Sequence, residues 1–328
     1  MRIIYLVPDN QQPSWGVGVI YQHVVELKRA GYDAWIMHQV KGFRLKWLTV
    51  DVPVLYFSSQ KPFLPTDTLV LPEVMMNLPG LEKIKCRKIV FIQNVFYLFE
   101  MMPVDRTHQQ LGISHALYIM PHMVSVISER TGLAHTCVPP FIADYFYKAP
   151  ADLHERKKTI VLYPKNNGLD HGILKRFLTH QTERLNARSM LGRMLAPKEQ
   201  WRVVELKDKS HETCAAIMKE ASFFVCLNTT EAFNTSVPEA MAAGCINFCY
   251  EAFGPADFLL NGENAFVFAN NHIYPMLQKL QWALDNADQL QEQFSRIRVD
   301  ARSTAEKYRK ENLRQPLLEF FNQTAVSA

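Results

Sequence analysis

The sequence predicts an α/β protein of two Rossmann-like domains. Three observations carry this: short apolar runs alternate with amphipathic stretches, the alternation breaks at a proline-rich segment, and it then restarts. In the first part Ile3–Val7 reads as a strand, a loop with Gly16 and Gly18 follows, and Val19 to Arg29 reads as a helix closed by Gly31. Further strands are predicted at Ala34–His38, Val54–Phe57, Leu69–Leu71, Ile89–Ile92, Ala116–Ile119 and Val124–Ile127. Pro139, Pro140, Pro150 and the charged run His154–Lys158 mark a linker, which sets the domains at 1–145 and 146–328. The second domain is predicted to hold strands at Ile160–Tyr163, Arg202–Leu206, Ser222–Leu227, Ile246–Tyr250 and Ala265–Phe268. Its helices are expected at Ile173–Leu185, His211–Lys219 and Val237–Ala243, with a helical tail from Ile273 to about Gln323. Whether the tail crosses back to the first domain is left open. Open α/β sheets bind ligands beyond the carboxyl ends of their strands, so the loops after Val7, Leu71, Ile92, Tyr163 and Leu227 are expected to face a cleft between the domains.

Composition narrows the partners. The 328 residues are 48% hydrophobic and 21% charged, as in a globular chain with a sizeable core. Residues 1–145 carry 13 basic and 11 acidic side chains and the remainder 23 and 21, so neither part forms the basic surface that nucleic acid requires. Six cysteines, Cys86, Cys137, Cys214, Cys226, Cys245 and Cys249, form no Cys-x-x-Cys pair, and read as free thiols in a reducing compartment. Pro8 and Asp9 cut the first apolar run short, so it reads as a strand and not a signal peptide, and no window has the roughly 18 apolar residues of a membrane span. A cytoplasmic protein is expected.

The sharpest signal runs from Thr229 to Gly244: Thr-Thr-Glu-Ala-Phe-Asn-Thr-Ser-Val-Pro-Glu-Ala-Met-Ala-Ala-Gly. It follows a buried-strand run, and Ser236 and Pro238 mark a helix start. Unpaired N–H groups at a helix start attract anions, so the loop suits a diphosphate, with Glu231 and Glu239 on either side to accept sugar hydroxyls. Ser236 and Glu239 also have the spacing of a capping box, in which Glu239 would serve only the helix. Both alternatives stand at this stage.

The stretch resembles the Glu-x7-Glu signature of retaining GT-B glycosyltransferases of family 4, with Glu231-Ala-Phe233-Asn234 and then Glu239-Ala-Met-Ala-Ala-Gly244. Gly254-Pro-Ala-Asp257-Phe, Asn261-Gly-Glu-Asn-Ala-Phe266 and the glycine loop Gly16-Val-Gly18 also resemble family segments. So does Tyr163-Pro-Lys165-Asn166 with His171-Gly172, although the family arginine is Lys165, the family lysine is His171 and the second motif glycine is Asn234. These departures bear on phosphate neutralisation and on backbone approach to phosphate.

The resemblance implies a GT-B fold of two facing Rossmann-like domains, the first for the acceptor and the second for a nucleotide-diphosphate sugar. It implies transfer with retention to a glycan, lipid or other hydroxyl acceptor. Glu231 and Lys165 would be catalytic. Gly16, Gly18, Asn94, Asn166, His171, Phe233, Asn234, Thr235, Ser236 and Glu239 would bind substrate, with Glu231 at the transferred sugar and Glu239 at the ribose. No metal or other cofactor is expected, because no Asp-x-Asp pair and no ligand-spaced cluster occurs. Gln93, Asn94 and Glu73 fall where a cleft residue would, and Trp15 sits beside the glycine loop. The mixed run Lys41–Trp47 could meet a lipid or glycan acceptor, and with it a membrane surface. The alternative function is a non-catalytic nucleotide-sugar- or glycan-binding subunit of an assembly complex. A sugar-nucleotide epimerase would need a base near C2 for which no Asp/His pair offers itself, and the glycine loop lacks the full Gly-x-Gly-x-x-Gly of a dinucleotide oxidoreductase.

Overall fold

The computed structural model describes residues 1–48, 50–57, 63–147, 156–163, 168–192, 200–253 and 257–326. The chain divides into two units: Met1–Phe141 with Glu311–Ala328, and Ile142–Lys310.

The first unit is built on seven parallel strands, β1 (Arg2–Leu6), β2 (Asp33–His38), β3 (Val54–Tyr56), β4 (Thr68–Pro72), β5 (Arg87–Ile92), β6 (Ile113–Tyr118) and β7 (Ala134–Cys137), in the order β3-β2-β1-β4-β5-β6-β7. β1 and β4 are buried through almost their whole length, and their near-continuous apolar runs are what a parallel sheet covered by helices requires. Helices α1 (Trp15–Arg29), α2 (Val95–Met101) and α3 (Val124–Thr131) belong to this unit. Because the order reverses between β1 and β4, the loops leaving those two strands border the switch point of this sheet.

One predicted strand is corrected. Val124–Ile127 lies in α3, although its β-branched residues suggest extended chain. Pro121 opens a turn just ahead of it, Gly132 stops it at φ 60°, and Ile127 and Thr131, four apart, supply the buried face. The edge strand is the later β7. α1 also begins four residues before the predicted Val19, so that Gly16 and Gly18 sit in its first turn and not in a loop.

The second unit holds α4 (Asp144–Tyr147), β8 (Lys157–Tyr163), α5 (Gly168–Gly192), β9 (Arg202–Glu205), α6 (His211–Glu220), β10 (Ala221–Cys226), α7 (Ser236–Ala242), β11 (Ile246–Tyr250), β12 (Phe266–Phe268), α8 (Ile273–Asp285) and α9 (Gln291–Glu306). Its parallel sheet has the order β12-β11-β10-β8-β9. Trp201 stacks on Phe223 at 5.3 Å, and Phe223 meets Phe248 and Phe294 edge-on in the core beneath α8 and α9. Here the reversal falls between β8 and β10, so the loop after Cys226 lies at that switch point.

α10 (Lys310–Val326) belongs to the first unit. Leu313, Leu317 and Phe321 on it are fully buried, and the Phe321 ring lies 6.5 Å from Tyr5 and 6.4 Å from Tyr32. The six cysteines are unpaired, and no helix among the described residues is long and apolar enough to cross a membrane.

Candidate functional site

In the second unit, β10 delivers the chain into the motif loop, and the loop is held from inside. Asn234 adopts φ 41°, the left-handed region that glycine fills most easily. Its buried carboxamide oxygen accepts from Asn228 Nδ2 at 3.0 Å and Ser236 Oγ at 3.1 Å, while Cys226 Sγ lies 3.4 Å away. Asparagine is the side chain best able to sit in this conformation and bond locally, and here it does both. The Asn234 and Ser236 side chains are therefore engaged inward, and what this corner can offer a ligand is backbone. Val237 N–H returns to Asn234 O, and Glu239 N–H to Thr235 O. The N–H groups of Thr235 and Ser236, at the head of α7, donate to no group among the described residues. Phe233 is buried against Tyr308 (4.9 Å) and Phe258 (5.8 Å), and so anchors the loop.

Glu231 is half-buried on the loop that leaves β10. Glu239 is 5% exposed, yet it does not close a capping box. Ser236 Oγ is turned to Asn234, no side chain caps α7, and Glu239 Oε1 accepts from His211 Nε2 at 2.6 Å. His211 Nδ1 lies 2.5 Å from the Tyr145 hydroxyl. Burial alone would lower the His211 pKa, but the charge and hydrogen bond of Glu239, with Glu212 behind them, outweigh it and hold the imidazole above its usual value. Tyr163, at the end of β8, is pushed up first by burial and further by Cys226, Glu239 and Glu231, which places that phenol in the field of both motif carboxylates. Tyr145 and His211 had no signal in the sequence: one stands beside the proline-rich linker and the other reads as an ordinary helix start.

His171 stands in the first turn of α5. Its Nε2 bonds Glu205 Oε1 at 3.2 Å, and the same oxygen takes Lys175 at 2.9 Å. Lys165 and Asn166 lie outside the described residues, as does Gly254.

In the first unit a second group of the sequence-selected residues comes together. Glu73, just after β4, is 2% exposed, and its Oε1 accepts from the N–H groups of Gln93 (3.1 Å) and Asn94 (2.8 Å) at the end of β5. Burial nevertheless pushes its carboxyl up to about 8. Asn94 Oδ1 caps α2 by accepting from Phe96 N–H. The Gln93 side chain lies over Gly16, where a Cβ would meet its Oε1 at 3.1 Å; a Cβ at Gly18 would meet nothing within 4 Å.

Solved structures share this architecture over the whole chain. Sucrose-phosphate synthase from Thermosynechococcus elongatus superposes with a TM-score of 0.71 at 11% identity, covering 100% of both chains. Anabaena Alr3699/HepE in complex with UDP gives 0.67 at 12% identity, over 98% of this chain and 100% of that one. A glycosyltransferase from Rickettsia africae gives 0.65 at 13% identity, over 98% of each. The fold is GT-B. Within this GT-B chain, residues 199–298 match the family model described as Glycosyl transferases group 1. That segment holds the motif loop, α7 and both motif glutamates, which supports a glycosyltransferase. No curated protein matches the chain in sequence.

Proposed function

We propose that this protein is a glycosyltransferase that moves a sugar from a nucleotide-diphosphate donor to a hydroxyl on a glycan, lipid or similar acceptor, with retention at the anomeric carbon and without a metal. The observation that carries the proposal is that Glu231 lies on the loop at the β8/β10 switch point and Glu239 in α7, the helix that follows it, both inside the segment that matches the family model. The donor is read from the same place: UDP is what Anabaena Alr3699/HepE holds in its complex.

Breaking the bond between C1 and the diphosphate leaves positive charge on the sugar ring and negative charge on the departing phosphates. Catalysis rests on holding that negative charge. The N–H groups of Thr235 and Ser236, unengaged among the described residues, supply part of the grip, and Lys165 and Asn166 are assigned the rest. Glu231 accepts hydroxyls of the transferred sugar, and Glu239 those of the ribose. The acceptor hydroxyl attacks from the side of the leaving group, and the departing phosphate takes its proton. In the first unit Gly16, Gly18 and Asn94 are assigned to the substrate.

A screen of UDP, GDP, ADP, CDP and their glucose conjugates by thermal shift identifies the donor, since a ligand bound only to the native state raises stability with its occupancy. With that donor, Glu231→Ala is expected to slow transfer by on the order of 100-fold while the protein stays folded. Undiminished turnover by the variant removes Glu231 from the mechanism.

The pairing of His171 with Glu205 favours one second reading, a nucleotide-sugar-binding subunit without turnover, because the side chain at the position of the family lysine is already engaged. Release of free nucleotide from a bound sugar nucleotide decides against that reading.

A further inference from the structure

We propose that His211, held by Tyr145, is a positioning residue that fixes one oxygen of Glu239 and so presents the other to the ribose diol of the donor nucleotide; this rests on the donor role of Glu239 given above.

The geometry supplies each link. His211 is the first residue of α6, and Ser210 caps that helix by accepting from Thr213 N–H, so the ring starts from a fixed backbone. Phe146, fully buried, meets the ring edge-on at 4.9 Å, and Tyr145 meets it at 5.6 Å. The Nε2–H donates to Glu239 Oε1 at 2.6 Å, and Nδ1 shares a hydrogen bond of 2.5 Å with the Tyr145 hydroxyl. The chain Tyr145–His211–Glu239 thus draws on α4, α6 and α7, three elements that pack on one another. Glu239 Oε2 has no partner among the described residues. A carboxylate with one oxygen pinned cannot rotate, so the second oxygen keeps one direction. A diol hydroxyl meeting it finds an acceptor already oriented, and less side-chain freedom is lost on binding.

Structural bracing alone would not distinguish nucleotides, and the test uses that difference. Affinities for UDP and for 2′,3′-dideoxy-UDP are measured by calorimetry, with GDP, ADP and CDP and their dideoxy forms as further pairs. The wild type is expected to prefer the ribose form by about tenfold to a hundredfold, as for hydrogen bonds to a charged acceptor. His211→Ala should reduce that preference to about threefold or less while leaving affinity for the dideoxy form unchanged. His211→Gln, which can offer an N–H near the position of Nε2, should keep most of the preference. Tyr145→Phe removes one hydroxyl, and should lower the preference even if His211→Ala does not fold. A ribose preference unchanged in His211→Ala or in Tyr145→Phe overturns the proposal and leaves the donor assignment intact. Equal binding of both forms by the wild type, or binding of neither, removes Glu239 from the ribose and the proposal with it.

Discussion

Replacing Asn234 by glycine introduces the residue found at this place in the motif that the loop resembles, and it should destabilise the protein. Two effects oppose each other. Glycine relieves the left-handed backbone at φ 41°, a gain of roughly 0.5–1 kcal/mol. It also deletes the oxygen that Asn228 and Ser236 donate to, and both of these residues are buried, Asn228 at 1% and Ser236 at 7% exposure. Each stranded donor costs roughly 1–3 kcal/mol; the serine hydroxyl can rotate, so the low end applies to it. The net loss is about 2–3 kcal/mol. Asn234→Ala suffers the same loss and keeps the strained φ with a less tolerant side chain, so it should fall about 1 kcal/mol lower still. Urea unfolding followed by circular dichroism measures both. The reasoning is refuted if the glycine variant lies within about 0.5 kcal/mol of wild type, or if alanine is as stable as glycine: the loop would then be held by its backbone alone.

Three further outcomes follow from the same kind of accounting. Glu73 binds its proton more tightly when folded (about 8 against 4.5), so its contribution is greatest below pH 4.5 and is lost as the pH rises towards 8; Glu73→Gln should remove on the order of 3 kcal/mol of the fall in unfolding free energy between pH 5 and pH 8, and an unaltered pH profile would contradict it. His23 is fully buried against Phe91 and Tyr5, and burial lowers it from 6.5 to about 3, so acid favours the unfolded chain from pH 6.5 downwards; at pH 5 this group costs about 2 kcal/mol, which the double variant Tyr5→Phe/His23→Leu should recover relative to its own stability at pH 7.5. Gly244 stands at φ 82° with its Cβ position 2.4 Å from Arg156 Nη2, a nitrogen already bound to Ala243 O, so Gly244→Ala should lose about 3 kcal/mol or more in denaturant melts, whereas Gly18→Ala, in open space within α1, should gain about 0.5–1 kcal/mol.

Much of the architecture was legible because a buried parallel strand leaves an unbroken apolar run, and Ile89–Ile92 or Ser222–Leu227 can be read in few other ways. The reading failed where local preference and tertiary packing disagree. Val124–Ile127 has strand composition, but Pro121 and Gly132 frame a helix and Ile127 supplies its buried side. The motif loop was legible as a position but not as a mechanism of support. In sequence Asn234 is a missing glycine; in the fold it is a corner residue whose side chain takes over what the glycine backbone would otherwise do. The Glu239 partners were out of reach, since Tyr145 and His211 are 66 residues apart and meet only because α4 and α6 pack together. For the same reason no spacing rule could pair His171 with Glu205 across 34 residues.

The place of α10 has a consequence for how the protein is made. Residues 1–141 leave the ribosome before residues 142–310, yet the side chains that complete their interior, Leu313, Leu317 and Phe321, follow only after the whole of that second unit. The later-made unit, residues 142–310, is contiguous and can close as soon as it emerges. The order of maturation therefore runs opposite to the order of synthesis, and a stop codon just before Glu311 would spare the unit it follows and cripple the one made before it.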